Sequence, residues 1–320
     1  MQISQFAPVF IPTLNRDVLF KHCVESLARC THADKTDLFI ALDYPLKESH
    51  WDGYNKINIY VETIQGFKSV NIIERKENFG AVKNYFEGNK EVLNKYDRII
   101  FSEDDNEFSP NFLDYINKGL DKFEDDDKVL AVCGYNYPIE IYKNYKNNIY
   151  INKAFSAWGY GTWKNREIYA TYSTECISRV LAKKNFIVTM IKYYGLSKIS
   201  TYIYALRKKQ VKYGDGAITI TLLNENKYCV FPVRSKVRNH GHDGSGEHCV
   251  MIKNNPYIKQ KIDIENEFTY LENDAKIDNK IIHKFKSFVN LSLKSRCRFW
   301  IKNIIFVLAF YMNVLKNEVK

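Results

Sequence analysis

The sequence predicts an α/β fold: a mainly parallel, doubly wound sheet with helices on both faces. Three observations carry this. Apolar runs of strand length alternate four times with segments of helical period. Arg16, Asp43 and Glu103–Asp105 stand at or just after the ends of three of those runs. The chain has 320 residues, 45% of them hydrophobic, which is enough for a substantial core.

The elements follow in order. "APVFIP" (7–12) reads as a first strand, and "TLNRDVLFKHCVESLARC" after it as a helix with Leu19, Cys23 and Leu27 on one face. "TDLFIALDYP" (36–45) is a second strand ending at Asp43, because Pro45 forbids its extension. A helix carrying Trp51, Tyr54 and Ile57 comes next, then a third strand, "SVNIIER" (69–75). "NFGAVKNYFEGNKEVL" (78–93) opens on Asn-Phe-Gly and continues as a helix. Residues 98–102 form a fourth strand. Ser109 as N-cap and Pro110 at the first helical position then start a helix running to about Glu124.

Glu103, Asp104 and Asp105 sit between that fourth strand and its helix. Ligands of open α/β sheets bind at the carboxyl ends of the strands, so Arg16, Asp43, Lys83 and the acidic triplet are the candidate functional residues. Acids ahead of a helix also suit its positive end, and "EDDDK" (124–128) is read as a solvated turn. The strand directly before 103–105 sets the triplet apart. A strand end holds a carboxylate still, and Mg²⁺ or Mn²⁺ on substrate phosphates needs only one or two of them.

Charge and cysteine usage exclude several classes. Of the net charge of +10, +8 lies in residues 276–320, where ten Lys/Arg face only Asp278 and Glu318. The nearly neutral body offers no groove for a nucleic acid. Seven scattered cysteines without a CxxC pair predict reduced thiols in a cytoplasmic setting. The N-terminus lacks a basic leader and a full apolar segment, which predicts no secretory signal. In "SRCRFWIKNIIFVLAFYMNVLK" (295–316) the apolar run from Ile304 to Met312 is far short of the roughly 20 residues that span a bilayer. Its basic flank and Trp300 fit a helix lying on an anionic membrane surface, peripheral on the inner face; packing on the catalytic core or on a second subunit is the alternative.

"IIFSEDDNEFSPNFLDYINKGL" resembles the acidic metal-binding segment of GT-A-fold nucleotide-sugar glycosyltransferases. It is most similar to the N-acetylglucosaminyltransferase I type and to bacterial family-2-like surface-polysaccharide transferases. "PTLNR", Asp43, "ENFGAVKNY", "AFSAWGYGTWK" (154–164) and "VRNHGHDGSGEHC" (237–249) fall in the family's order, so the resemblance covers about residues 7–250. It implies a nucleotide-sugar-binding half (1–135) and an acceptor-binding half (136–250), and the charge of the tail marks 251–320 as a basic helical extension. The resemblance also implies a nucleotide diphosphate sugar donor (a UDP-sugar favoured), a divalent metal and a glycan or lipid-linked glycan acceptor.

The resemblance assigns Asp105 as the direct metal ligand, with Asp104 and Glu103 positioning ribose and metal-bound water. Arg16 and Asp43 match nucleotide contacts, the carboxylate facing the base, and Lys83 falls at a phosphate or base contact. Trp158, beside two glycines, is expected to line the sugar pocket, with core packing as the other reading. Asp215 matches the general base of an inverting enzyme, an N-cap or Asp-Gly turn being the alternative. Local propensity over 217–221 favours a strand, whereas the family has a helix there. "RNHGHDGSGEHC" matches neither a P-loop nor a zinc finger and is read as a closing loop that brings His242 or Asp243 near the metal. A metal-dependent phosphodiesterase or nuclease, and a non-catalytic glycan-binding scaffold, remain the competing classes.

Overall fold

The computed structural model describes residues 3–166, 172–210, 214–242, 244, 255–257, 260–271, 277–290 and 292–318, with side chains through 313. The first half alternates β1 (Val9–Thr13), α1 (Asp17–Ala28), β2 (Asp37–Leu42), α2 (Trp51–Val61), β3 (Ser69–Glu74), α3 (Gly80–Leu93) and β4 (Arg98–Phe101). A short strand β5 (Asn106–Phe108), α4 (Phe112–Lys122) and β6 (Val129–Cys133) follow. The second half contributes β7 (Ile149–Asn152), β8 (Tyr160–Trp163), α5 (Thr174–Ala182), α6 (Lys184–Tyr194), α7 (Leu196–Arg207), α8 (Asp215–Asn224), β9 (Tyr228–Pro232) and β10 (Val237–Asn239). Two helices, α9 (Asn279–Val289) and α10 (Leu293–Glu318), complete the described chain.

Eight strands form one mostly parallel sheet in the order β3-β2-β1-β4-β8-β6-β9-β7. Strands β3, β2, β1 and β4 run parallel, and β8 joins β4 antiparallel, linking the two halves of the chain. The period of two along each strand sends alternate side chains into separate cores. Val9, Ile11, Leu38, Ile40 and Ile100 meet α1, α2 and α4 on one face. Phe10, Phe39, Ala41, Ile99 and Phe101 meet α3 and the later helices on the other. Burial on both sides explains the apolar runs of β1, β2 and β4, whereas the edge strand β3 is partly exposed.

Three local readings are corrected. The buried face of α1 is Phe20, Cys23, Val24 and Leu27, with Leu19 only half-buried. Helix α4 begins after Asn111, not at Pro110. The chain there is still leaving β5: Ser109 N donates to the Lys236 carbonyl at 2.9 Å, and Ser109 Oγ bonds Asn111 Oδ1 at 2.9 Å. Residues 217–221 are helical despite their β-branched side chains, because α8 is buried on nearly all sides and packing overrides propensity.

The basic tail is not a free appendage. Ile281, Ile282 and Phe285 of α9 are buried in the core. Helix α10 packs on the same core through Phe299, Trp300, Phe306, Val307 and Phe310. Among the described residues no helix is long and apolar enough to cross a membrane.

Candidate active site

The sheet order turns back between β1 and β4, so the connections leaving their carboxyl ends diverge and open a crevice. The chain leaving β1 delivers Thr13 and Arg16 to that crevice, and the chain leaving β4 delivers Glu103, Asp104 and Asp105. Arg16 bridges the two aspartates. Its Nη1 donates to Asp105 Oδ2 at 2.7 Å and its Nη2 to Asp104 Oδ1. Thr13 Oγ1 donates to Asp104 Oδ2 at 2.8 Å.

A second layer comes from the far end of the chain. Strand β10 pairs antiparallel with β5, laying Asn239 against Asn106. Asn239 Nδ2 donates to Asp105 Oδ1 at 2.5 Å, and His240 N to the Asp105 carbonyl at 2.8 Å. The backbone then crosses Asp105 so closely that a Cβ on Gly241 would overlap the Oδ2 oxygen. Only glycine fits there. Thr13 and Asn239 lie inside motifs whose order points to the site, but nothing in their residue type or spacing marks them singly.

Asp215, in the first turn of α8, faces the same acids from the second half. The Glu103 carboxyl is pushed up to about 8 by burial and by the charges of Asp105, Asp215 and Asp104, with Arg16 opposing. Burial also raises Asp104, only partly offset by Arg16. For Arg16 burial works against the charge, but Asp104 and Asp105 outweigh it and raise its pKa. Burial lifts Asp215 to about 6, with Lys198 opposing. The carboxyls of Glu103, Asp104 and Asp105 thus crowd one guanidinium, which bridges the two aspartates, and the charge of Asp215 acts on Glu103 from the second half. Asp215 borders a cavity of about 290 Å³ lined also by Tyr137, Phe155, Tyr194, Lys198 and Phe285.

The expected residues therefore separate. Arg16, Glu103, Asp104, Asp105 and Asp215 come together. Asp43 sits at the same sheet edge, its N–H on the Thr13 carbonyl at 2.9 Å. Its oxygens accept the Phe79 and Gly80 N–H groups at 2.8 Å each, which anchors the start of α3. Lys83 is exposed, with Nζ 3.7 Å from the Phe79 ring centroid and 3.6 Å from Glu77. Trp158 meets Tyr135, His242 and Tyr257 edge-on, outside the Asp215 cavity. His242 also stacks on Tyr257 at 5.6 Å between centroids. Asp243 lies outside the described residues.

Residues 9–185 match the model of the family described as glycosyl transferase family 2. The chain belongs to this family. Its sheet with flanking helices is GT-A-like. No curated protein sequence matches the chain. Among solved structures, the chain is similar to the mannosyltransferase PcManGT from Pyrobaculum calidifontis in complex with GDP-Man and Mn²⁺. That match has 13% identity, a TM-score of 0.37, and covers 50% of this chain and 45% of the other. Residues 1–349 of S. aureus TarS align at 14% identity with a TM-score of 0.35, covering 51% of this chain and 49% of TarS 1–349. The chain thus spans about half the length of these proteins or less.

Proposed function

We propose that this glycosyltransferase moves a sugar from a nucleotide diphosphate donor, a UDP-sugar favoured, to a glycan or lipid-linked glycan in bacterial surface polysaccharide synthesis. The transfer is metal-dependent and inverts the anomeric centre. The observation that carries the reading is the convergence of Arg16, the 103–105 triplet and Asp215 at the β1/β4 crevice.

The donor set fits a hard divalent cation: the buried carboxyls of Asp104 and Asp105, with Glu103 beside them, outnumber the one guanidinium that bridges the aspartates. Asp105 is the ligand in this reading, and Asp104 and Glu103 orient ribose and bound water. When bound, Mn²⁺ or Mg²⁺ would supply charge neutralisation for the departing diphosphate. Arg16 adds a second positive group beside that position. Asp215 takes the acceptor hydroxyl's proton, and the aromatic wall of Tyr137, Phe155, Tyr194 and Phe285 gives a sugar's apolar face a surface to stack on. Stabilisation by a nucleoside diphosphate in the presence of Mn²⁺, followed by thermal unfolding across a set of bases, tests the donor assignment. Absence of any Mn²⁺-dependent shift would remove its basis.

Peripheral membrane binding through α10 is part of the same proposal. Lys294, Arg298, Ile301, Ile305, Leu308 and Met312 recur every three or four residues and are all exposed. They form one stripe, basic at its start and apolar beyond, opposite the face packed on the core. The positive end favours an anionic bilayer over a second copy of this basic chain. Ile305→Glu with Leu308→Glu should abolish binding to phosphatidylglycerol vesicles in sedimentation while leaving the melting temperature unchanged. Equal sedimentation of variant and parent would discard the membrane role.

A further inference from the structure

The geometry points to a second cation site, distinct from the diphosphate crevice, formed by His22, Glu107 and His240. These residues are far apart in sequence and come from three elements: α1, β5 and the chain just after β10. One ligand atom of each lies within 4.8 Å of the others. Their placement follows from the ribbon. Glu107 pairs with Arg238 across β5 and β10, so His240, two residues on, is its diagonal neighbour. His240 Nε2 and Glu107 Oε2 are 2.8 Å apart, and the His22 ring meets the His240 ring edge-on at 5.0 Å between centroids.

Two imidazoles and a carboxylate are a borderline-soft donor set that suits Zn²⁺, with water in the remaining position. Tetrahedral Zn²⁺ with ligands at about 2.0–2.2 Å needs its donor atoms roughly 3.4 Å apart. His240 and Glu107 are already closer than that, at 2.8 Å, and no pair exceeds 4.8 Å, so side-chain rotations can close the set. Arg238 Nη1 also reaches Glu107 Oε2, at 3.3 Å, but a carboxylate offers about four acceptor positions and can serve both. All three side chains are partly exposed, so the ion has a path from solvent.

The consequence is mechanical. Glu107 is two residues beyond Asp105, and His240 directly precedes the Gly241 backbone that crosses the Asp105 carboxylate. A Zn²⁺ at this point would clip the β5–β10 ribbon to α1 and hold the backbone around Asp105 in register. Its ligands are not those of the donor-bound metal, so the clip forms without nucleotide.

The test is equilibrium dialysis of the full chain against micromolar Zn²⁺, without nucleotide, with thermal unfolding in parallel. One Zn²⁺ per chain and a raised melting temperature are expected for the parent and equally for Asp105→Asn. Both should be lost in His22→Gln and in Glu107→Gln. Co²⁺ in place of Zn²⁺ should give the visible absorption of a low-coordinate nitrogen and oxygen site in the parent but not in His22→Gln. The inference is overturned if no Zn²⁺ is retained. It is equally overturned if His22→Gln retains Zn²⁺ like the parent, or if Asp105→Asn alone loses it, which would place the ion at the acidic triplet.

Discussion

Asp215→Asn should lower turnover by roughly 10²-fold or more while donor affinity stays close to that of the parent. The amide keeps the size of the side chain and the contacts of the cavity wall but cannot accept the acceptor's proton. Donor groups are bound on the other side of the crevice, by Arg16 and the 103–105 triplet, so nucleotide affinity reads a different set of contacts. The raised pKa of Asp215, about 6, sets the acid limb of the pH profile. Turnover of the parent should climb as pH rises through that value, because the base must be ionised. Stability runs the opposite way. Burial favours the protonated form in the folded chain, so this contribution is full below the unfolded carboxyl pKa near 4 and is lost as pH rises through 6. Asp215→Asn should therefore melt at a higher temperature than the parent above pH 6, by at most about 3 kcal/mol of stability, with no difference below pH 4. A retained anomeric configuration in the product, or full turnover in the variant, would end the base assignment.

Asp105→Asn should abolish the Mn²⁺-dependent part of nucleotide diphosphate binding. The carboxylate loses its charge and its strength as a ligand together. The structural cost is not negligible, contrary to what a bare strand-end position suggests. Asp105 is buried and accepts from Arg16 on one oxygen and from Asn239 on the other. An amide must turn its NH₂ toward one of those donors, so one hydrogen bond is lost, worth about 1–3 kcal/mol. Arg16 keeps Asp104 as a partner, and the ribbon keeps its backbone pairing, so the fold survives. Isothermal titration with a nucleoside diphosphate, with and without Mn²⁺, reads the effect. Equal Mn²⁺-dependent affinity in variant and parent would refute the ligand role.

The order of elements in the first half was legible because β1, β2 and β4 are buried on both faces and so show as apolar runs between amphipathic helices. The same regularity exposed Glu103–Asp105 as carboxylates directly after a buried strand. Helix α8 was ambiguous for the opposite reason. Buried on nearly every side, "AITITLL" carries no polar face to declare a helical period, and its β-branched residues suggest a strand. The three-residue strands β5 and β10 escaped notice because each is too short to show alternation. Their pairing depends on contacts some 130 residues apart.

From residues alone come the strand–helix alternation, the carboxyl-edge placement of Arg16, Asp43 and the acids, and the concentration of charge in the tail. All are set by local patterning. Tertiary structure alone decided that Arg16 bridges Asp104 and Asp105, that Asp43 anchors α3, and that Lys83 points to solvent. It also brought Asn239 and Gly241 onto Asp105 and turned the basic tail into a wall of the Asp215 cavity. These depend on where distant segments meet, and the free energy of such a meeting is a property of the pair, which neither segment carries in its own sequence.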